Sequence, residues 1–494
     1  MQKRENSYIV FLKSILIVIL GSLSFPNMNV IGALSILPIA ILLLNTLMKG
    51  DPFSFVIQLF TGAHFTYGKQ IGSVFLIAAG IALILWTILF NKRKFKNQLT
   101  STGKKYIFLL CVILFIQVLS ILFYRDFEFD KKIISILYII LITQFVIYFS
   151  GISISEIDIK RFVYCLFLTC LYSVIVSINQ FSSFLPTNSL WPTYDENAIF
   201  EKEIFRNSGT FLNYEIYAEY SLSIITILLP GIVSGSIKKY NTRLHYIAII
   251  TVALSLYSII LSGTRSSLFL FPICTLIVLY RYRNKINKTT FIAIFVAAVV
   301  GYLTPDITKI LNLDSFILRN DSLENTTLDK VMTGEAINRA ATFSYGLEKI
   351  QNKLKDGTLL IGEGYYTFRD EYRDIHFDKS GIEFPDYHNL YMSLIVIWGI
   401  GGAWAFISIF ILSINSGIKA YKKIKNTNSI YSDLLYGFNL MFIFLMINQL
   451  KIQFIRDSNY LFLIMILLVI YISLSESILN FSKKIIKNED SLVY

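Results

Sequence analysis

The chain has 494 residues, of which 54% are hydrophobic and only 16% charged, and it carries a formal net charge of +12. So apolar a composition excludes an ordinary soluble globular protein and indicates a polytopic membrane protein. The basic surplus does not point to nucleic acid, because it falls in short clusters between apolar runs, the positive-inside pattern of cytoplasmic loops.

A bilayer core of about 30 Å takes roughly 20 apolar residues per helix. Runs of that size are expected at 8–25, 28–48, 53–67, 71–90, 106–124, 132–150, 161–181, 214–233, 245–262, 265–280, 290–304, 389–414, 434–450 and 459–479. The third is short and reads as a re-entrant segment, so the expectation is about 12–14 helices in an all-α bundle. The runs are continuous rather than alternating, which argues against a barrel. The first run follows Met1-Gln2-Lys3-Arg4 without a small-residue cleavage site and is expected to stay as a helix. Cys111, Cys165, Cys170 and Cys274 all fall inside expected spans, so neither a disulfide framework nor a zinc site is indicated.

Basic clusters at Lys92-Arg93-Lys94, Lys238-Lys239, Arg281 to Lys288, Lys422-Lys423-Lys425 and Lys483-Lys484 can all face the cytoplasm together, with both termini inside. The chain then divides into N-terminal helices and a first outer loop (1–213), central helices (214–303), one large extracytoplasmic loop (304–388) and C-terminal helices with a cytoplasmic tail (389–494). The large loop reads as mostly helical, with Ala336 to Leu354 at helical spacing before turns at Asp356-Gly357 and Gly362-Glu363-Gly364.

This topology puts three clusters on the outer side. Arg206-Asn207-Ser208-Gly209-Thr210-Phe211 precedes the span at Tyr214. A guanidinium there can hold two phosphate oxygens of a leaving pyrophosphate, or it can snorkel to lipid headgroups. Ser262-Gly263-Thr264-Arg265-Ser266-Ser267 is wedged between apolar helices, where a charge calls for a partner or a task. The small residues let a ligand phosphate approach N–H groups at the start of the next helix, and they equally suit plain helix packing. His388-Asn389 leads into a helix with Gly399, Gly401 and Gly402. An imidazole at that boundary can take a hydroxyl proton or can serve as a helix cap, and the glycines let a neighbouring helix or a lipid chain come close. His64, His245 and His376 have weaker cases: His245 falls in a basic cytoplasmic loop, and His376 lies mid-loop without a motif. No acidic pair on this side has an obvious metal-binding form, which favours transfer without a metal.

In these motifs the chain resembles the O-antigen ligase and polymerase proteins of bacterial surface-polysaccharide assembly. The resemblance rests on Arg206-Asn-Ser-Gly-Thr-Phe-Leu-Asn, on Ser-Gly-Thr-Arg265-Ser-Ser, on Arg339 before Gly362-Glu-Gly364, and on His388-Asn389, nine residues, Gly399, two residues, Gly402. It covers about 200–405, roughly two fifths of the chain. It implies a bundle like that of the GT-C glycosyltransferases and a substrate built on undecaprenyl diphosphate, in a bacterial inner membrane and without a cofactor. Arg206 and Arg265 would hold the diphosphate, Arg339 and Asn389 would assist binding, and His388 would activate the acceptor hydroxyl. Attack at the anomeric carbon with departure of the lipid diphosphate predicts inversion. A polymerase, using a second lipid-linked repeat unit as acceptor, is favoured over a ligase, which uses lipid A core. A flippase and a chain-length regulator are the implied partners. A transporter would place charges in mid-bundle and lack the long outer loop, and a scaffold would need no arginine pair beside a histidine.

Overall fold

The computed structural model describes residues 6–23, 30–65, 79–80, 83, 101–123, 129–149, 151–182, 208–211, 213–284, 339–364, 389–427, 429–451, 454–456 and 458–490. These form helices joined by turns and short connections. The helices are α1 (Ser7–Leu23), α2 (Val30–Met48), α3 (Pro52–Phe65), α4 (Ser101–Phe123), α5 (Phe129–Phe149), α6 (Glu156–Ser182), α7 (Tyr214–Val233), α8 (Ser236–Tyr240), α9 (Thr242–Ser262), α10 (Arg265–Arg281), α11 (Arg339–Lys355), α12 (Leu390–Ile424), α13 (Ile430–Asn448) and α14 (Ser458–Asp490). Seven of them, among the described residues, are long and apolar enough to cross a membrane: α4, α6, α7, α9, α12, α13 and α14. The chain is thus a polytopic α-helical membrane protein. The expected spans at 71–90 and 290–304 lie almost wholly outside the described residues, as does most of the expected loop 304–388.

The core lies between α3, α6, α7, α13 and α14, where Phe60, Leu166, Ile224, Phe442, Met465 and Leu467 are buried. α3 is only 14 residues long and is buried along nearly its whole length. At 1.5 Å per residue it reaches about 21 Å, too short to span. Its polar residues Ser54, Gln58, Thr61 and His64 recur at helical spacing and are all buried. At its start Asp51 accepts from Arg161 of α6 at 2.8 Å, and Arg161 also reaches Asp158 at 3.2 Å.

α12 departs from the expected run 389–414. It has 35 residues and is broken at Gly399, whose φ of 63° and ψ of −175° lie outside the helical region. The break frees carbonyls, and the segment after α11 takes them: Glu363 N donates to Val396 O at 2.9 Å and Gly364 N to Ile397 O at 2.7 Å, while Ile400 N donates back to Leu359 O at 3.0 Å. Gly399 therefore admits the segment after α11, while Gly401 and Gly402 face Ile116 of the neighbouring helix α4, the close helix approach expected of these glycines. The Lys353–Glu363 ion pair, 2.9 Å, ties the same segment back to α11. His245 also differs from expectation, lying in the first turn of α9 and not in a loop.

Candidate functional site

The helix ends that carry the three motifs gather at one end of the bundle. Gly263, with φ 58°, closes α9 in the left-handed region, and Thr264 precedes α10. Thr264 does not cap its own helix; its hydroxyl donates to Tyr214 O at the start of α7, 3.2 Å away. One turn further along α7, Tyr217 donates to Ser258 of α9 at 2.7 Å.

From α7 the connection continues to α13 and α12 through Glu219, which is 2% exposed. Its carboxyl oxygens accept from Asn448, from Gln449 at 2.8 Å and from Tyr460 at 3.1 Å. Gln449 O accepts from Leu390 N at 3.0 Å, and Gln449 Oε1 accepts from Phe454 N at 2.8 Å. Asn389 caps α12, accepting from Tyr391 N and Met392 N at 3.0 and 3.2 Å, while its amide donates to Leu450 O at 3.3 Å. The starts of α7, α10, α12 and α14 and the ends of α9 and α13 thus share one end.

The turn Gly209–Phe211 is buried against this assembly. Gly209, at φ 53°, lies flat on Tyr217, where a Cβ would come within 2.8 Å of the ring. Thr210 meets Ser173 of α6 at 3.0 Å, and Ser173 in turn meets His64 Nε2 at 2.9 Å. The His64 ring stacks on Tyr220, with centroids 5.0 Å apart.

Three hydroxyls in the arginine motifs are buried without a hydrogen-bond partner: Ser208, Ser266 and Ser267. A buried hydroxyl left unpaired costs about 1–3 kcal/mol. Helical serines can recover this by donating to the carbonyl four residues back, and Ser266 and Ser267 do not take that solution. A phosphate oxygen is one kind of acceptor that such a hydroxyl can donate to.

Of the sequence-predicted site residues, Arg265 begins α10 and Arg339 begins α11, and Asn389 is the α12 cap described above. Arg206 and His388 lie outside the described residues, and so does His376. Asn389 has a structural task at the helix start. Sequence reasoning missed Glu219, although an ionisable residue inside an apolar span is itself a signal. It also gave His64 little weight, and neither Ser173 nor Gln449 carried a motif. Among the described residues no group of three or more His, Cys, Asp or Glu side chains is placed to hold a metal ion. Comparison with protein-family models gave no match, and comparison with the curated proteins gave none either.

Proposed function

We propose that the chain is a membrane glycosyltransferase that polymerises polysaccharide repeat units at the outer face of a bacterial inner membrane, drawing them from undecaprenyl diphosphate. The observation that carries this reading is the set of unpaired buried hydroxyls at Ser208, Ser266 and Ser267, within the two arginine motifs, at the bundle end where α7, α10 and α12 begin. Serine hydroxyls and guanidinium groups together suit a diphosphate, because they offer donors to many oxygens at once.

In this reading Arg206 and Arg265 hold the diphosphate of the donor, and Arg339, on the outer loop, adds a third positive charge. His388 takes the acceptor hydroxyl proton while that oxygen attacks the anomeric carbon, and the lipid diphosphate leaves from the opposite face with inversion. Positive charge fixed in a water-poor site stabilises the departing diphosphate more than the ground state. The fold is then of the GT-C kind, with the loop 304–388 outside and both termini in the cytoplasm, and a flippase and a chain-length regulator are the working partners.

The spacing from Asn389 to Gly399 and Gly402 favours a second reading, transfer of the finished glycan to lipid A core. A deletion strain separates the two on a gel. Loss of the ladder with one repeat unit still attached to core marks a polymerase, and lipid-linked polymer beside bare core marks a ligase. An unchanged ladder overturns both.

A further inference from the structure

The end of α10 far from the candidate site holds a second basic cluster. α10 has 17 residues, so at 1.5 Å each the two ends lie about 25 Å apart. Arg281, Arg283 and Asn284 line a cavity of about 660 Å³ with Leu276, Ile277, Tyr280 and Tyr436. That volume lies within the range of small-molecule sites, about 300–1,000 Å³.

Both guanidinium groups are held by phenols. Arg281 Nε donates to Tyr421 at 2.8 Å, and Arg283 sits over the Tyr280 ring, 4.6 Å from its centroid. The nearby carboxylate is engaged elsewhere: Asp433 accepts from Tyr282 at 2.5 Å and from Ser234. Burial, and then the charge of Asp433, push the Tyr282 phenol well above its ordinary range, so it stays a donor. Among the described residues neither arginine forms an ion pair with a carboxylate.

The cavity's other wall is apolar. Leu276, Ile277 and Tyr280, exposed at 46, 38 and 68%, line it, and Phe269, 68% exposed, continues the same stripe of α10 beyond the cavity. A contiguous apolar stripe left uncovered on a helix of a membrane protein is matched by lipid chains.

We propose that this cavity binds the phosphate of an anionic phospholipid, with Arg281 and Arg283 on the headgroup and the Leu276–Ile277 wall against the first acyl carbons. Guanidinium groups pair with phosphate through two parallel hydrogen bonds, and the apolar wall distinguishes a lipid from a free anion. The site is independent of the glycosyl-transfer reading.

The test is native mass spectrometry of the full chain in detergent, titrated with phosphatidylglycerol or phosphatidylcholine. The intact protein should retain phosphatidylglycerol about tenfold better, a difference of about 1.4 kcal/mol. The double variant R281Q/R283Q should bind the two lipids alike. K104Q/K105Q removes the same charge from the exposed start of α4 and should keep the preference. Equal loss in both double variants means diffuse attraction and overturns the site. So does an unchanged preference in R281Q/R283Q, or displacement of the lipid by inorganic phosphate at equal concentration.

Discussion

Gly362 and Gly399 meet backbone to backbone: a Cβ on Gly362 would come within 2.5 Å of Gly399 N. Both have positive φ, 71° and 63°. Alanine at either position therefore has to overcome a contact with main chain, which cannot swing aside, in addition to backbone strain of about 1–3 kcal/mol. We expect Gly399→Ala to lower the melting temperature in detergent by several degrees and to expose 359–364 to protease, whereas Gly357→Ala, with open space around it, should lose only the strain. Equal sensitivity of the two variants would separate the loop from the helix break.

The Glu219 cluster gives a second prediction. Its carboxyl group accepts three hydrogen bonds, from Asn448, Gln449 and Tyr460. Glu219→Gln turns one acceptor into a donor and leaves at least one of these donors unmatched, at a cost of about 1–3 kcal/mol. Glu219→Ala should cost more, because it also leaves a cavity. Thermal melting of the purified variants checks the order.

The unpaired hydroxyls make a prediction of opposite signs. In S266A/S267A the fold loses nothing, since neither oxygen has a partner to lose, and relief of the burial cost should leave the melting temperature equal or higher. Donor binding should weaken, with KM raised several-fold while kcat changes less. A variant with wild-type KM removes the phosphate role from these serines.

Arg265→Ala should abolish long-chain polysaccharide while the protein still inserts, and Arg265→Lys should restore little, because a lysine cannot reproduce the paired donors. His388→Ala should lose transfer in vitro. Full activity in either alanine variant assigns the chemistry to other groups.

A reporter joined at Lys379 should read as outside the cytoplasm. A cytoplasmic signal would invert the orientation and, with it, the side on which donor and acceptor meet.

Much of the helix order was legible because apolar runs of membrane length carry their own signal. α7 begins at Tyr214 and α10 at Arg265, as their hydropathy indicates. α12 was legible only in part: Gly399 stood out but its partner did not, since the backbone pairing with Glu363 and Gly364 leaves no trace in side-chain type. Glu219 and His64 were hidden for a related reason. Their partners, Gln449 and Ser173, are 230 and 109 residues away in the chain, and a sequence read without relatives shows no such pairing.

The enclosed helix α3 has a bearing on how the protein is made. Its polar face at Ser54, Gln58, Thr61 and His64 would be poorly tolerated by lipid on its own, and the carboxylate at Asp51 that starts it is matched by Arg161, 110 residues later in synthesis. We expect this segment to stay unmatched during synthesis until α6 emerges and Arg161 reaches Asp51. Deleting α6 should therefore leave the early chain exposed to membrane quality-control proteases, whereas truncation after α6 should yield a fragment that survives longer.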